Sequence, residues 1–199
     1  MPVPTTRAYN ELDEFERHVH SLTEGPPPLD PDNKLHGSRS QVLCITNDLA
    51  LNKTWDYSPQ ACNLRFESAT RGAGAGAPAR CSYLFTTVPA LCNFAGNLHG
   101  GAAATMVDCL TSVLILALSS PGRFSTAGTT RNLHLTYIRP VPVGTEMRLN
   151  CEMVNMGQRM ALVKAEICRA EDSKPYVFNS QNDNSYSQSG VVLCTCELG

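Results

Sequence analysis

The sequence feature that most constrains the fold is an apolar stretch, residues 93–118, that holds a single carboxylate, Asp108. From Gly100 to Gly122 no other residue is acidic or basic. An ionised carboxylate is costly inside an apolar helix unless it is paired or hydrogen-bonded. A helix that is apolar on nearly every side also needs cover on nearly every side. The chain must therefore enclose this helix and give Asp108 a reason to be there.

The Ala102–Leu118 part of this stretch is about as long as a short membrane span. Polar residues interrupt it, and no Lys or Arg flanks its start, which is atypical of a membrane helix. The interrupting residues are Thr105, Asp108, Thr111 and Ser112. We therefore expect a buried helix in a soluble domain, with no membrane partner.

Strand patterns surround the helix. Two segments before it, residues 62–70 and 81–88, predict a hairpin with a long Gly-rich tip. After it, apolar and polar residues alternate over residues 130–138, 146–153 and 161–168, and a last apolar segment follows at 191–198. The order is two strands, one helix and four strands. This pattern predicts an α+β fold in which a curved antiparallel sheet of about six strands wraps the long central helix.

The first 60 residues predict an N-terminal helical arm. Apolar residues recur at helical spacing, and the Pro-rich residues 25–40 that follow predict a linker. Residues 41–60 show no clear period. We expect residues 1–60 to form the helix, linker and irregular arm, and residues 61–199 to form the main domain, with a polar loop at 171–190. The apolar positions of the helix are Tyr9, Leu12, Phe15, Val19 and Leu22.

Charge and cysteine content limit the partners. The formal net charge is −2, and no basic cluster suggests nucleic acid. We expect a small-molecule substrate and another copy of this chain as partners. The nine cysteines mostly stand alone, which favours free thiols in a reducing compartment, the cytoplasm, with mitochondria as the alternative. Cys194 and Cys196 form the one close pair, so neither a metal site nor a cofactor is predicted.

A family resemblance rests on two motifs. Asn93, His99, Gly100, Gly101 and Asp108 have the spacing N-x5-HGG-x6-D, and a later strand reads LTYIRPVPVGTEM. Together they resemble the PaaI-like branch of the hotdog-fold acyl-CoA thioesterases, over roughly residues 61–198. The resemblance implies a hotdog domain that hydrolyses acyl-CoA to a free acid and coenzyme A. It also implies a homodimer or a tetramer of dimers.

The Gly-Gly helix start predicts an oxyanion site. Unpaired backbone N–H groups at a helix N-terminus favour an anion, and glycine lets a thioester approach closely. Gly100 is assigned as the principal donor, with Gly101 beside the substrate. By resemblance Asn93 polarises the thioester carbonyl and His99 orients Asn93 or the loop. The structural alternatives are a tight helix entry, an Asn that caps a turn and a histidine with a purely structural bond.

Asp108 is the expected base or nucleophile. Along one helix it lies about 12 Å from Gly100, too far for both to reach one thioester carbon. The resemblance implies that Asp108 of one subunit faces the Gly-Gly start of the other. It also implies that Thr130 helps hold the water. Arg139 is assigned to the phosphates of coenzyme A, with a surface arginine as the alternative.

Two other functions compete with hydrolysis. A hotdog dehydratase or hydratase usually pairs a catalytic His with an acid at a helix start, whereas Asp108 lies further inside the helix. A non-catalytic hotdog protein that binds acyl groups or scaffolds an assembly is the second alternative, which the long N-terminal arm and the 171–190 loop favour.

Overall fold

A long helix packed against an antiparallel sheet forms the centre of the computed structural model, which describes residues 7–24, 62–72, 74, 76–173, 175–178 and 192–197. These residues contain two α-helices and eight strands. The helices are α1 (Glu14–Glu24) and α2 (Gly100–Ala117). The strands are β1 (Arg65–Thr70), β2 (Arg80–Thr86), β3 (Thr129–His134), β4 (Thr136–Tyr137), β5 (Glu146–Met156), β6 (Met160–Arg169), β7 (Pro175–Phe178) and β8 (Val192–Glu197).

The sheet is antiparallel throughout its described part. β1, β2, β5 and β6 lie side by side in that order, and β6 then pairs with both β7 and β8. On their far sides β7 pairs with β4, and β8 pairs with β3. The predicted α+β arrangement of a central helix and an antiparallel sheet is therefore confirmed.

β7 and β8 occupy one strand position. Phe178 pairs with Thr136 and Leu193 pairs with His134, so the two segments follow each other along the same edge. In the sequence, thirteen residues (179–191) separate β7 from β8. Along β6, however, Val177 pairs with Ile167 and Val192 with Ala165, so the two strands follow each other without a gap. The sheet has eight strands instead of about six because this strand and the one at 129–137 are each divided in two. Part of the predicted 171–190 loop is thus strand β7, which its Pro and polar neighbours conceal in the sequence.

The core lies between α2 and the inner face of the sheet. Ten residues of α2 are buried, and alternate residues of β5 and β6 face it, as the period of two predicts. By length and hydropathy (1.6) α2 could also cross a membrane, but 56% of it is buried inside this fold. The side chains of β5 and β6 that face the core are Met147, Leu149, Cys151, Met153, Ala161, Val163, Ala165 and Ile167.

α1 joins the same core. Asp13 and Glu16 cap its N-terminus reciprocally, since each side chain accepts the other's backbone N–H. Tyr9 therefore lies in a preceding 3₁₀ turn (Tyr9–Glu11) and the α-helix starts at Glu14. The helix packs on β1 and on α2, and four of the five predicted apolar positions are buried: Leu12, Phe15, Val19 and Leu22. The predicted linker (25–40), irregular arm (41–60) and boundary at 60/61 lie outside the described residues.

Six cysteines have described side chains, and all six are free thiols. Cys62, Cys81, Cys151 and Cys168 are buried. Among the described residues, no three His, Cys, Asp or Glu side chains are placed to hold a metal ion.

Candidate active site

The start of α2 is fixed by the segment before it. Leu98 N donates to Val141 O at 2.8 Å, and His99 N donates to Leu91 O at 2.7 Å. His99 then caps the helix in an extended conformation (φ −69°, ψ 134°), and its Nδ1 accepts from Gly101 N at 2.9 Å. His99 O accepts the first helical bond, from Ala103 N at 3.0 Å. His99 therefore caps the helix start, which is the structural bond given above as its alternative, and its role in orienting Asn93 or the loop stays a prediction.

The Gly100 N–H is left open by this arrangement. Gly101 N–H is taken by His99, and no described residue accepts from Gly100 N–H. A free backbone donor at the positive end of a helix suits an oxyanion. Of the two predicted glycines, Gly100 is thus the one with a donor available, while Gly101 sits on the exposed surface beside it. Binding of substrate by Gly101 stays a prediction.

Asn93 shapes the turn before the helix. Its Oδ1 accepts from Ala95 N at 3.0 Å and from Asn97 N at 3.2 Å. Asparagine often caps a turn in this way, and this is the structural alternative given above for Asn93. The amide Nδ2 donates to no described residue. Asn93 therefore has a structural bond through its oxygen and a donor that remains available for a ligand. Its neighbour Phe94 is fully exposed at the tip of the turn.

Asp108 and Thr130 come together within one chain. Thr130 Oγ1 donates to Asp108 Oδ1 at 2.6 Å, from β3 to the middle of α2. Both residues are only half-buried. A short bond from a hydroxyl to a carboxylate is a strong one, so it holds the carboxylate in a defined orientation. The structure thus brings together two of the predicted site residues that lie 22 residues apart.

One side of α2 is left partly uncovered by the residues that the structure describes. The partly uncovered residues recur at three- and four-residue spacing, so they form a stripe along the helix that runs from the Gly-Gly start past Asp108. The stripe consists of Gly101, Ala104, Thr105, Asp108, Cys109 and Ser112, all half-buried or exposed. Gly100 and Asp108 lie at about 12 Å from each other along this helix. Within a single chain the open Gly100 donor and the Asp108 carboxylate are therefore too far apart to act on the same atom.

Tyr137 is a site residue that reasoning from the sequence missed. Its hydroxyl donates to Gly100 O at 2.7 Å, and its ring lies against Gly100, where an added Cβ would be 3.2 Å from Cζ. Burial raises the pKa of the Tyr137 hydroxyl above its ordinary value, so it remains a donor at neutral pH. The signal was present in the motif LTYIRPVPVGTEM, but the contact spans 37 residues.

Arg139 follows β4 on the surface. It is exposed and no described residue pairs with it, so a contact with phosphate is sterically open and untested. Arg139 lies two residues after Tyr137, whose hydroxyl contacts Gly100 at the start of α2. The assignment to coenzyme A phosphates stays a prediction.

Comparisons with known proteins point to one family. Residues 95–176 match the thioesterase superfamily. A candidate esterase of Caenorhabditis elegans is 30% identical over 83 residues, which are 41% of this chain and 46% of that protein. Acyl-coenzyme A thioesterase 13 of Mus musculus is 23% identical over 82 residues, 41% of this chain and 56% of that protein. The chain spans about half the length of these curated relatives.

Solved structures share the fold. Zebra fish thioesterase superfamily member 2 superposes with a TM-score of 0.57 at 18% identity, covering 75% of this chain and 91% of that one. A hypothetical thioesterase of Streptococcus pneumoniae, solved with coenzyme A, has a TM-score of 0.52 at 16% identity and covers 70% and 90%. Residues 95–176 thus match the thioesterase superfamily, and the chain has the hotdog fold of solved thioesterase structures, with distant similarity to acyl-coenzyme A thioesterase 13.

Proposed function

We propose that the protein is an acyl-CoA thioesterase that hydrolyses an acyl-CoA to a free acid and coenzyme A. The observation that carries the proposal is Asp108, the only carboxylate of α2, held by Thr130 at 2.6 Å on the uncovered side of a core helix. Two names support the acyl-CoA class: acyl-coenzyme A thioesterase 13 and the Streptococcus pneumoniae protein solved with coenzyme A.

The reaction needs an activated oxygen and a place for negative charge. In one route Asp108 takes a proton from water as the water attacks the thioester carbon. In the other, Asp108 attacks directly and water then hydrolyses the mixed anhydride. In both, the carbonyl oxygen becomes an oxyanion that Gly100 N–H and Asn93 Nδ2 stabilise. The carbon–sulfur bond then breaks, and the leaving thiolate of coenzyme A takes up a proton.

The complete site belongs to a homodimer. About 12 Å along α2 separates Gly100 from Asp108, so a second copy has to bring its own carboxylate to the open Gly100 N–H. The uncovered stripe on α2 offers small side chains on which another helix can pack closely. β3 offers a second contact, because the edge opposite β8 has no strand partner among the described residues. Symmetry then gives two equivalent sites.

Substrate binding extends from the helix start. Arg139 meets the phosphates of coenzyme A, which a guanidinium binds well. Gly101 lies beside the thioester, where the absence of a side chain leaves room. The acyl chain follows the uncovered face of α2. We place the activity in the cytoplasm.

A non-catalytic acyl-binding protein is the second candidate, and one observation favours it. Asn93 Oδ1 and His99 Nδ1 both serve local bonds in the structure, as they would if the N-x5-HGG motif only shaped the turn. Under this reading the chain binds acyl-CoA without turnover.

The test is release of free thiol from acyl-CoAs of short, medium and long chain length. We expect turnover by the wild type and a loss of about 10²–10⁴-fold in kcat for Asp108→Asn, since that change removes the base or nucleophile. Glu171→Gln, at an exposed carboxylate, is the matched control and keeps full activity. Binding without turnover by an intact oligomer would favour the second candidate. Equal rates for Asp108→Asn and wild type would contradict the assignment of Asp108.

A further inference from the structure

The peptide unit between Gly100 and Gly101 is held at both ends. Its carbonyl accepts from the Tyr137 hydroxyl at 2.7 Å, and its N–H donates to His99 Nδ1 at 2.9 Å. The preceding peptide, between His99 and Gly100, is held by its carbonyl, which accepts from Ala103 N at 3.0 Å. Gly100 thus lies between two fixed peptide planes, although glycine itself restricts neither φ nor ψ strongly.

The direction of the Gly100 N–H depends on these bonds. A preorganised donor stabilises an oxyanion only when it already points at the place where the charge develops. The Gly100 N–H lies in the His99–Gly100 plane, and loss of the bond from Tyr137 leaves the adjacent Gly100–Gly101 plane held by the His99 bond alone. The two planes meet at the Gly100 Cα, so a looser second plane lets the first one reorient. The open donor would then sample other directions, even though the helix beyond Ala103 stays intact.

Tyr137 is not placed as a packing residue. It is 52% exposed, so little of its ring contributes to the core. β4 carries it at a fixed position, through the pairing of Tyr137 with Val177. The ring lies close to Gly100, since a Cβ there would be 3.2 Å from Cζ and would push the ring away by a few tenths of an ångström.

We infer that Tyr137 is a positioning residue of the thioester site, which fixes the direction of the Gly100 N–H through its bond to the Gly100 carbonyl. The inference rests on the proposed thioesterase function. According to this inference, the Tyr137 hydroxyl affects the rate of hydrolysis and the ring does not. Because the donor acts on the transition state, the effect falls on kcat and leaves KM nearly unchanged.

The experiment compares Tyr137→Phe, which keeps the ring, with Tyr9→Phe, a control at a partly buried tyrosine in the 3₁₀ turn before α1. We expect Tyr137→Phe to lower kcat about tenfold, the loss that one indirect hydrogen bond to the site allows, with KM within about twofold. Amide NMR signals of Gly100 and Gly101 should shift or broaden in this variant alone. The melting temperatures of both variants should stay close to that of the wild type.

Three outcomes overturn the inference, and they can be distinguished. If the wild type hydrolyses thioesters and Tyr137→Phe keeps its kcat, the positioning role is wrong and the thioesterase function stands. If the wild type hydrolyses no thioester at any chain length, the proposed function fails and the positioning role fails with it. Equal losses in kcat for both variants would show a general effect of the substitution and would likewise contradict the assignment.

Discussion

The Thr130 hydroxyl donates a 2.6 Å hydrogen bond to Oδ1 of Asp108, from the edge strand β3 to the middle of the core helix α2. The bond orients a carboxylate that the apolar helix would otherwise solvate poorly. We therefore expect the hydroxyl of residue 130, and not its methyl group, to affect the activity.

Thr130→Val should lower kcat/KM about tenfold, because a hydrogen bond to a charged group contributes about 1.5–3 kcal/mol and this one is half exposed. Thr130→Ser keeps the hydroxyl and should stay within a few-fold of the wild type. Steady-state kinetics on one acyl-CoA compare the three proteins. Equal loss in the Ser and Val variants would assign the effect to shape instead of to the hydrogen bond.

Mixed dimers test the division of the site between subunits. Asp108→Asn and Asn93→Ala should each be nearly inactive alone, since each damages one half-site in both sites of the dimer. After unfolding and refolding together, random pairing gives one intact site in about half of the dimers, and hence roughly a quarter of the wild-type activity. A mixture that stays inactive, with heterodimers demonstrated by mass spectrometry, would rule out the division between subunits.

Glu166→Gln should stabilise the protein at neutral pH. Burial raises the pKa of Glu166 above its ordinary 4.5, while Lys164 opposes the shift. A carboxyl whose pKa is higher in the folded state lowers stability as pH rises above the unfolded value. The melting temperature of the variant should therefore be roughly 1–2 °C above that of the wild type at pH 7. At pH 4 or below, the two proteins should melt at the same temperature.

The exposed Glu171→Gln serves as the control and should show no such difference between the two pH values. A stabilisation by Glu166→Gln that is the same at pH 4 and pH 7 would contradict the titration as its cause.

Leu22→Ala tests whether α1 belongs to the main folding unit. Leu22 is 5% exposed in the same core cluster as α2, so its truncation should cost about 2–4 kcal/mol of unfolding free energy. Urea unfolding should remain a single transition, shifted to lower denaturant. The exposed Val154→Ala should change stability by less than about 0.5 kcal/mol. A separate early transition, with the main one unmoved, would instead make α1 an independent arm.

Local patterns in the sequence predict most of the helices and strands. The alternation in β5 and β6 predicts those strands because burial on one face repeats every two residues, and the long, mostly apolar run of α2 predicts a buried helix. The start of α2 at Gly100 is also readable, from its Gly-Gly pair and the capping His99. β7 was missed because it is four residues long, starts at Pro175 and lies in a polar segment.

The site could be predicted only in its parts. The motif singles out Asn93, His99, Gly100 and Asp108, but their bonds depend on residues that are distant in sequence. Thr130 meets Asp108 across 22 residues and Tyr137 meets Gly100 across 37. Such contacts follow from the order of strands in the sheet, which no periodicity along the chain reveals. Tyr137 therefore read as one more apolar residue of a strand.

The division between β7 and β8 has a consequence for how this chain tolerates changes in length. The ladder with β6 reaches Val177 on one side and resumes at Val192 on the other, with both segments in line along β6. The strands flanking residues 179–191 are therefore each held in register by their own pairing with β6. Insertions, deletions or a grafted reporter peptide between β7 and β8 should leave both strands in register with β6. The segment between them is therefore a suitable insertion site for protein engineering.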